Sequence, residues 1–157
     1  MATLEIIDFD PTCAAAFDRL NREWLEKLFR VEEIDQDILA DPAGTIIAYG
    51  GVILFARLQG EIVGTVALKQ QGHGVYELTK MAVRPDTRGG GIGRELLRAA
   101  IERFHRINGT RLYLESHSSL TDAIHLYETA GFVHELPPAP SEYARADVYM
   151  VYRETAN

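Results

Sequence analysis

An α/β (α+β) domain is what the 157-residue sequence predicts, and three patterns predict it. Between Cys13 and Leu28, apolar residues recur at spacings of three and four, the period of an amphipathic helix. From Gly44 to Val83 the period becomes that of strands, interrupted by the turn signals Gln59-Gly60 and Gln71-Gly72-His73-Gly74. After Val83, Arg88-Gly89-Gly90-Gly91-Ile92-Gly93-Arg94 runs directly into a second helical pattern. No repeat or low-complexity linker divides the chain, so one domain over residues 1–157 is expected.

Leu4 to Phe9 alternates as a short strand, and Asp10-Pro11 is a good cap and first-turn pair for the helix that follows. That helix should bury Cys13, Phe17, Leu20, Trp24 and Leu28, which makes Cys13 a packing residue rather than a nucleophile. Ile34 to Asp41 reads as a further short helix stopped by Pro42. Val52 to Leu58 and Glu61 to Leu68 form a hairpin, and Val75 to Val83 is the third long strand. The helix after the glycines should bury Leu96, Leu97, Ala100, Ile101 and Phe104 and stop at Asn108-Gly109. Arg111 to Glu115 is the next strand. Ser119 and Asp122 read as a capping box for a helix that Gly131 ends, and two last strands lie around Phe132 to Glu135 and Asp147 to Tyr152.

The glycine stretch has the chemistry of an anion cradle. Glycines let the backbone turn and present N–H groups, and a following helix aims its unsatisfied N–H groups and positive dipole end the same way. A P-loop would need a Lys and a Ser or Thr after its last glycine, where this chain has Arg94-Glu95. A dinucleotide fingerprint would need a third glycine at Leu96 and a strand directly ahead. What remains is R-x-x-G-x-G at Arg88, Gly91 and Gly93, after a strand ending Met81-Ala82-Val83. Later in the chain, strand Leu112 to Ser116 precedes Ala123-Ile124-His125-Leu126-Tyr127-Glu128-Thr129-Ala130-Gly131-Phe132.

These two segments, in this order, resemble the acetyl-CoA motifs of the GCN5-related N-acetyltransferases, over about residues 45 to 153. The resemblance implies a mixed, mostly antiparallel sheet with helices on both faces, in the order β-α-α-β-β-β-α-β-α-β-β. It implies that acetyl-CoA is the cosubstrate. Met81, Ala82 and Val83 would then offer backbone contacts to pantetheine and the acyl oxygen. Arg88, Gly89, Gly90, Gly91, Ile92, Gly93 and Arg94 would hold the pyrophosphate. Tyr127 stands where the family's tyrosine protonates the leaving sulfur, and Glu77 where a glutamate serves as base in the histone-acetylating branch, with Glu115, His117 or water as alternatives. Leu120 departs from the asparagine that many members carry there. The implied activity is direct acetyl transfer, in a ternary complex, to an amine of a small molecule or peptide. A non-catalytic acyl-CoA-binding regulatory module of the same fold is the alternative.

Composition narrows the class further. The chain is 46% apolar and 25% charged, without an apolar run that could span a membrane. A single cysteine excludes an internal disulfide, and the start Met1-Ala2-Thr3-Leu4-Glu5 lacks the features of a signal peptide, so a cytoplasmic protein is expected. The five histidines show no ligand spacing, and no metal is expected. A net charge of −7 without a basic recognition helix argues against nucleic acid. Residues 1–41 hold 4 basic and 11 acidic side chains, a balance of −7, whereas residues 80–111 hold 8 and 3, a balance of +5. Arg84, Arg88 and Arg94 flank the glycines and are expected to meet an anion. The resemblance implies that the helices of residues 1–41 border the acceptor side of the cleft, so their acidic balance suggests a cationic acceptor, and a homodimer stays open.

Overall fold

The computed structural model describes residues 3–154; Met1, Ala2 and the last three residues, which belonged to the single-domain and chain-start readings, lie outside the described residues. Strand β1 (Leu4–Asp8) leads through a 3-10 turn at Pro11–Cys13 into helix α1 (Ala14–Leu28). Helices α2 (Glu33–Ala40) and α3 (Pro42–Thr45) precede strands β2 (Val52–Leu58), β3 (Glu61–Gly72) and β4 (Val75–Val83). Helix α4 (Ile92–Arg106), strand β5 (Arg111–Ser116), helix α5 (Thr121–Ala130) and strands β6 (Phe132–His134) and β7 (Val148–Tyr152) complete the chain. Apart from the single turn of α3, this is the expected order.

The strands form one seven-stranded sheet in the order β1-β2-β3-β4-β5-β7-β6. Only β4 and β5 run parallel. The period of two in β2 shows how both faces are used. Leu54 and Ala56 pack in a core with Leu96, Leu97 and Phe104 of α4 and Tyr127 of α5. Ile53 and Phe55 pack in a second core with Phe17 and Leu25 of α1 and Ile38 of α2. Helices therefore cover both faces, and each core removes apolar surface from water. Hairpin turns match the sequence signals: Gln59 and Gly60, and again His73 and Gly74, take the positive φ that a tight hairpin needs.

Several local expectations change. Leu28 is 56% exposed, and Leu25 takes its place in the core, because the buried stripe drifts around α1 at 3.6 residues per turn. Ile101 is only partly buried, at the edge of its helix face. Pro42 does not simply stop α2; it opens α3, where the Asp41 carboxylate accepts the Gly44 N–H at 3.0 Å. The capping box at Ser119 and Asp122 is absent: Leu120 is the cap residue, and the Ser119 hydroxyl lies 2.7 Å from His117 Nδ1 instead. Pro11, behind the Asp10 cap, begins a 3-10 turn rather than the α-helix itself.

Candidate active site

Two strand irregularities open the site. Against β3, Thr65 pairs Ala82 while Ala67 pairs Thr79, so Lys80 and Met81 together oppose Val66. This is a bulge, and Lys80 takes φ 54°, a left-handed conformation that a side chain adopts at a cost of roughly 1–2 kcal/mol. On its other side, β4 pairs β5 only from Val75–Arg111 to Glu77–Tyr113, after which the two strands part. A cleft of about 700 Å³ runs through that gap. Met81, Ala82 and Val83 line one wall, and Ser116, Leu120 and Tyr127 the other.

The glycine loop closes one end of this cleft. Gly89 and Gly91 take φ 89° and 81°, which only glycine adopts freely. Gly91 is the cap residue of α4 and has no side chain with which to cap it, so the first-turn N–H groups of Ile92, Gly93 and Arg94 keep no intrahelical partner. A Cβ on Gly91 would meet nothing within 4 Å, whereas one on Gly93 would stand 3.5 Å from Met81 and Leu126, inside the cleft. Arg88 and Arg94 line the same space, and Arg88 Nε donates to the Val83 carbonyl at 3.3 Å. An uncapped helix end, a left-handed glycine and two guanidinium groups fit a pyrophosphate. Arg84 does not join them: it is paired with Asp86 at 2.6 Å and Glu61 at 3.2 Å, away from the cleft.

Tyr127 and Glu77 reach the cleft from opposite faces of the sheet. Tyr127 lies with Leu78 and Leu114 in the α4–α5 core and lines the cleft. Burial pushes its phenol up to about 12. Glu77, Tyr113 and Glu115 alternate with those core residues and so face the α1–α2 side. Glu77 is 4% exposed, and its one hydrogen bond accepts from Gln71 Nε2 at 3.2 Å. Burial, helped by the Glu115 charge, raises its carboxyl to about 7. His117 also lines the cleft; its Nδ1 accepts the Ser119 N–H at 3.0 Å, and its Nε2 lies 3.7 Å from Asp147, beyond hydrogen-bond distance.

A buried ionic cluster on this face escaped the sequence reading. Lys80 Nζ donates to Asp35 Oδ1 at 2.6 Å, and Arg145 grips Asp35 with bonds of 2.7 and 2.8 Å. Arg145 also pairs with Glu32 at 3.2 Å, and both cations sit 4.8 Å from the Tyr143 ring centre. Burial works against the Asp35 carboxylate, but Arg145 and Lys80 overcome it and hold the group down at about 2. The cluster joins α2, the β4 bulge and the β6–β7 connection. A lone lysine between Thr79 and Met81 was the only hint of it, because its partners Asp35 and Tyr143 lie 45 and 63 residues away in sequence. Phe29, stacked edge-on between Trp24 and His117, completes this wall.

The acidic charge of residues 1–41 does not border the cleft. Asp8 pairs with Arg103, Asp18 with Arg22, and Glu32 and Asp35 with Arg145. From α1 the cleft receives only Trp24 and Leu28, followed by Phe29; its carboxylates are Glu77, Glu115 and Asp122. Among the described residues no helix is long and apolar enough to cross a membrane.

Comparison with known proteins agrees with this geometry. Residues 11–132 match the acetyltransferase (GNAT) family. An uncharacterised Escherichia coli N-acetyltransferase, YjgM, is 37% identical over 79 residues, 48% of this chain and 47% of that protein, so the match spans about half its length. A Staphylococcus aureus acetyltransferase of the GNAT family superposes with TM-score 0.86 at 20% identity, over 96% of this chain and 98% of that one. The yncA protein of Salmonella typhimurium, solved with its cofactor acetyl-CoA, superposes with TM-score 0.75 at 20% identity, over 99% and 97%. With the family matched over most of its length and the seven-stranded, splayed sheet in place, this chain belongs to the GNAT acetyltransferase family.

Proposed function

We propose that this protein transfers the acetyl group of acetyl-CoA directly to an amine. The observation that carries this reading is the cleft itself: it crosses the sheet where β4 and β5 part, with the glycine loop and Tyr127 on one face and Glu77 on the other. A thioester bound there supplies an activated acetyl carbon. The first-turn N–H groups of α4, with Arg88 and Arg94, hold the pyrophosphate; the backbone of Met81, Ala82 and Val83, freed from β5, is available to pantetheine and the acyl oxygen. Positioning the two reactants together is the largest contribution such a site can make, since effective molarities reach about 10⁵–10⁸ M.

Glu77 takes the amine's proton. An alkyl ammonium with pKa about 10.4 costs roughly 5 kcal/mol to deprotonate at pH 7, so an acceptor poised near neutrality accelerates the step. Glu77, at about 7, is poised so. As the C–N bond forms and the C–S bond breaks, Tyr127 stabilises the departing sulfur. With its phenol near 12, it serves by donating a hydrogen bond more than by complete proton transfer. Full transfer to a thiolate of ordinary pKa, about 8.5, would be uphill by roughly 5 kcal/mol.

Acetyl-CoA-dependent thiol release, screened over amines, amino acids, polyamines and peptides, tests the reading. Release with at least one amine, and acetylated product by mass spectrometry, is expected. Tight acetyl-CoA binding with no release for any acceptor would assign the chain to acyl-CoA sensing instead.

A further inference from the structure

A second cavity of about 300 Å³ lies beside the cleft, on the α1–α2 side of the sheet beneath the loop Pro137-Pro138-Ala139-Pro140. Glu77, Glu115 and Tyr143 line both spaces, so the cavity continues from the point where Glu77 meets the cleft. Its walls are aromatic. Tyr113 and Tyr149 stack with centroids 5.5 Å apart, and Tyr143 stands beyond them. Its charges are mainly negative: Glu77, Glu115 and Glu142, against Arg111 as the single cation among the described lining residues. Arg111 is turned to the floor, where Nη2 donates to the Tyr149 hydroxyl at 2.6 Å.

Glu77 also points to a ligand independently of the count of charges. Its side chain is almost wholly buried yet lines the cavity, and it accepts from Gln71 Nε2 at 3.2 Å. A carboxylate lining a closed space favours a hydrogen-bond donor or a cation beside it. The Tyr113 phenol is pushed well above its ordinary value by burial first, then by the charges of Glu77 and Glu115, with Tyr149 and Glu142 contributing less. An acceptor bearing a carboxylate would meet those charges unpaired, whereas an organic cation would be met by carboxylates and by tyrosine faces.

We infer that this second cavity is the chamber for the acceptor's body and that the acceptor is a compact diamine, its reacting nitrogen at Glu77 and its second ammonium toward Glu142. This rests on the acetyl-transfer reading above. At 300 Å³ the chamber is at the small end of ligand pockets, which excludes a folded protein surface and suits a short chain. Glu142 is exposed and belongs to a loop, so its charge can be altered without disturbing either core.

Three acceptors of matched length test the inference: 1,4-diaminobutane, butylamine and 4-aminobutyrate, each at saturating acetyl-CoA and in calorimetric titration of the CoA complex. The diamine is expected to have the highest kcat/KM and the carboxylate the lowest. In Glu142→Lys the preference for diamine over butylamine should fall by about fivefold, the size that a part-exposed ion pair reaches, and Glu142→Asp should keep most of it. Equal rates for all three, a preference for 4-aminobutyrate, or no binding of the diamine to the CoA complex would overturn the chamber. In those cases intact acetyl-CoA binding leaves the acetyl-transfer reading standing. A protein that fails to bind acetyl-CoA at all overturns both.

Discussion

Glu77 carries two predictions with one cause. Its carboxyl is raised from 4.5 to about 7, so the folded state holds a proton that the unfolded chain has already released over that window. Stability from this group is complete at acid pH and is lost as pH rises through 7, a loss of about 3 kcal/mol when fully ionised. Glu77→Gln should therefore melt higher than wild type at pH 8 and nearly with it at pH 4.5, measured by thermal denaturation at both values. The same variant should lose the rising limb of kcat/KM near pH 7. An unaltered pH profile would transfer the base role to Glu115, His117 or water. Tyr127→Phe should lower kcat by about 10²-fold or more if the hydroxyl serves the sulfur, while calorimetric CoA affinity holds. A loss below threefold would leave Tyr127 as packing against Phe132. Both residues were legible in sequence as positions within motifs. Their environments were not, because burial of Glu77 beside Glu115 depends on strands that meet only in the folded sheet.

At the scale of elements, the glycine loop and α4 are proposed as one anion-binding unit, and Gly91 separates its two requirements. Gly91→Ala adds a Cβ that meets nothing within 4 Å, so it should add only left-handed strain, about 1–2 kcal/mol of stability. Gly91→Glu adds the same strain and a carboxylate where the pyrophosphate would lie. Titration of both folded variants should show acetyl-CoA affinity nearly kept in the first and lost in the second; equal affinities would remove the loop from the site. Elements governed by local chemistry were readable: the hairpins at Gln59-Gly60 and His73-Gly74 and the bounds of β4. Those set by tertiary competition were not. Ser119 is claimed by His117 rather than by α5, and Asp35 turns inward to Lys80 and Arg145 instead of facing water. That ionic strut fixes a left-handed lysine at the bulge, so the opening between β4 and β5 is braced from α2 and from the β6–β7 connection.

Across the whole molecule, charge and topology divide the work. The sequence balance of −7 over residues 1–41 suggested an acidic entrance, but none of those carboxylates lines the cleft, and Glu5, Asp8, Asp18, Glu26, Glu32 and Asp35 are held in ion pairs with Arg22, Arg57, Lys80, Arg103 and Arg145. Negative charge at the second cavity comes instead from β4, β5 and the segment after the proline-rich loop, whose meeting no linear charge count can show. The glycine-loop end of the cleft was more legible, because it is built from consecutive residues. The cleft passes through the sheet, and the proposed transfer has both substrates in it at once, one from each face, with no enzyme-bound acetyl group between them. Initial rates over a grid of acetyl-CoA and amine concentrations measure this directly. Reciprocal plots that intersect are expected, since transfer occurs with both partners bound; a family of parallel lines, the pattern of an acetylated enzyme that releases CoA before the amine arrives, would contradict it.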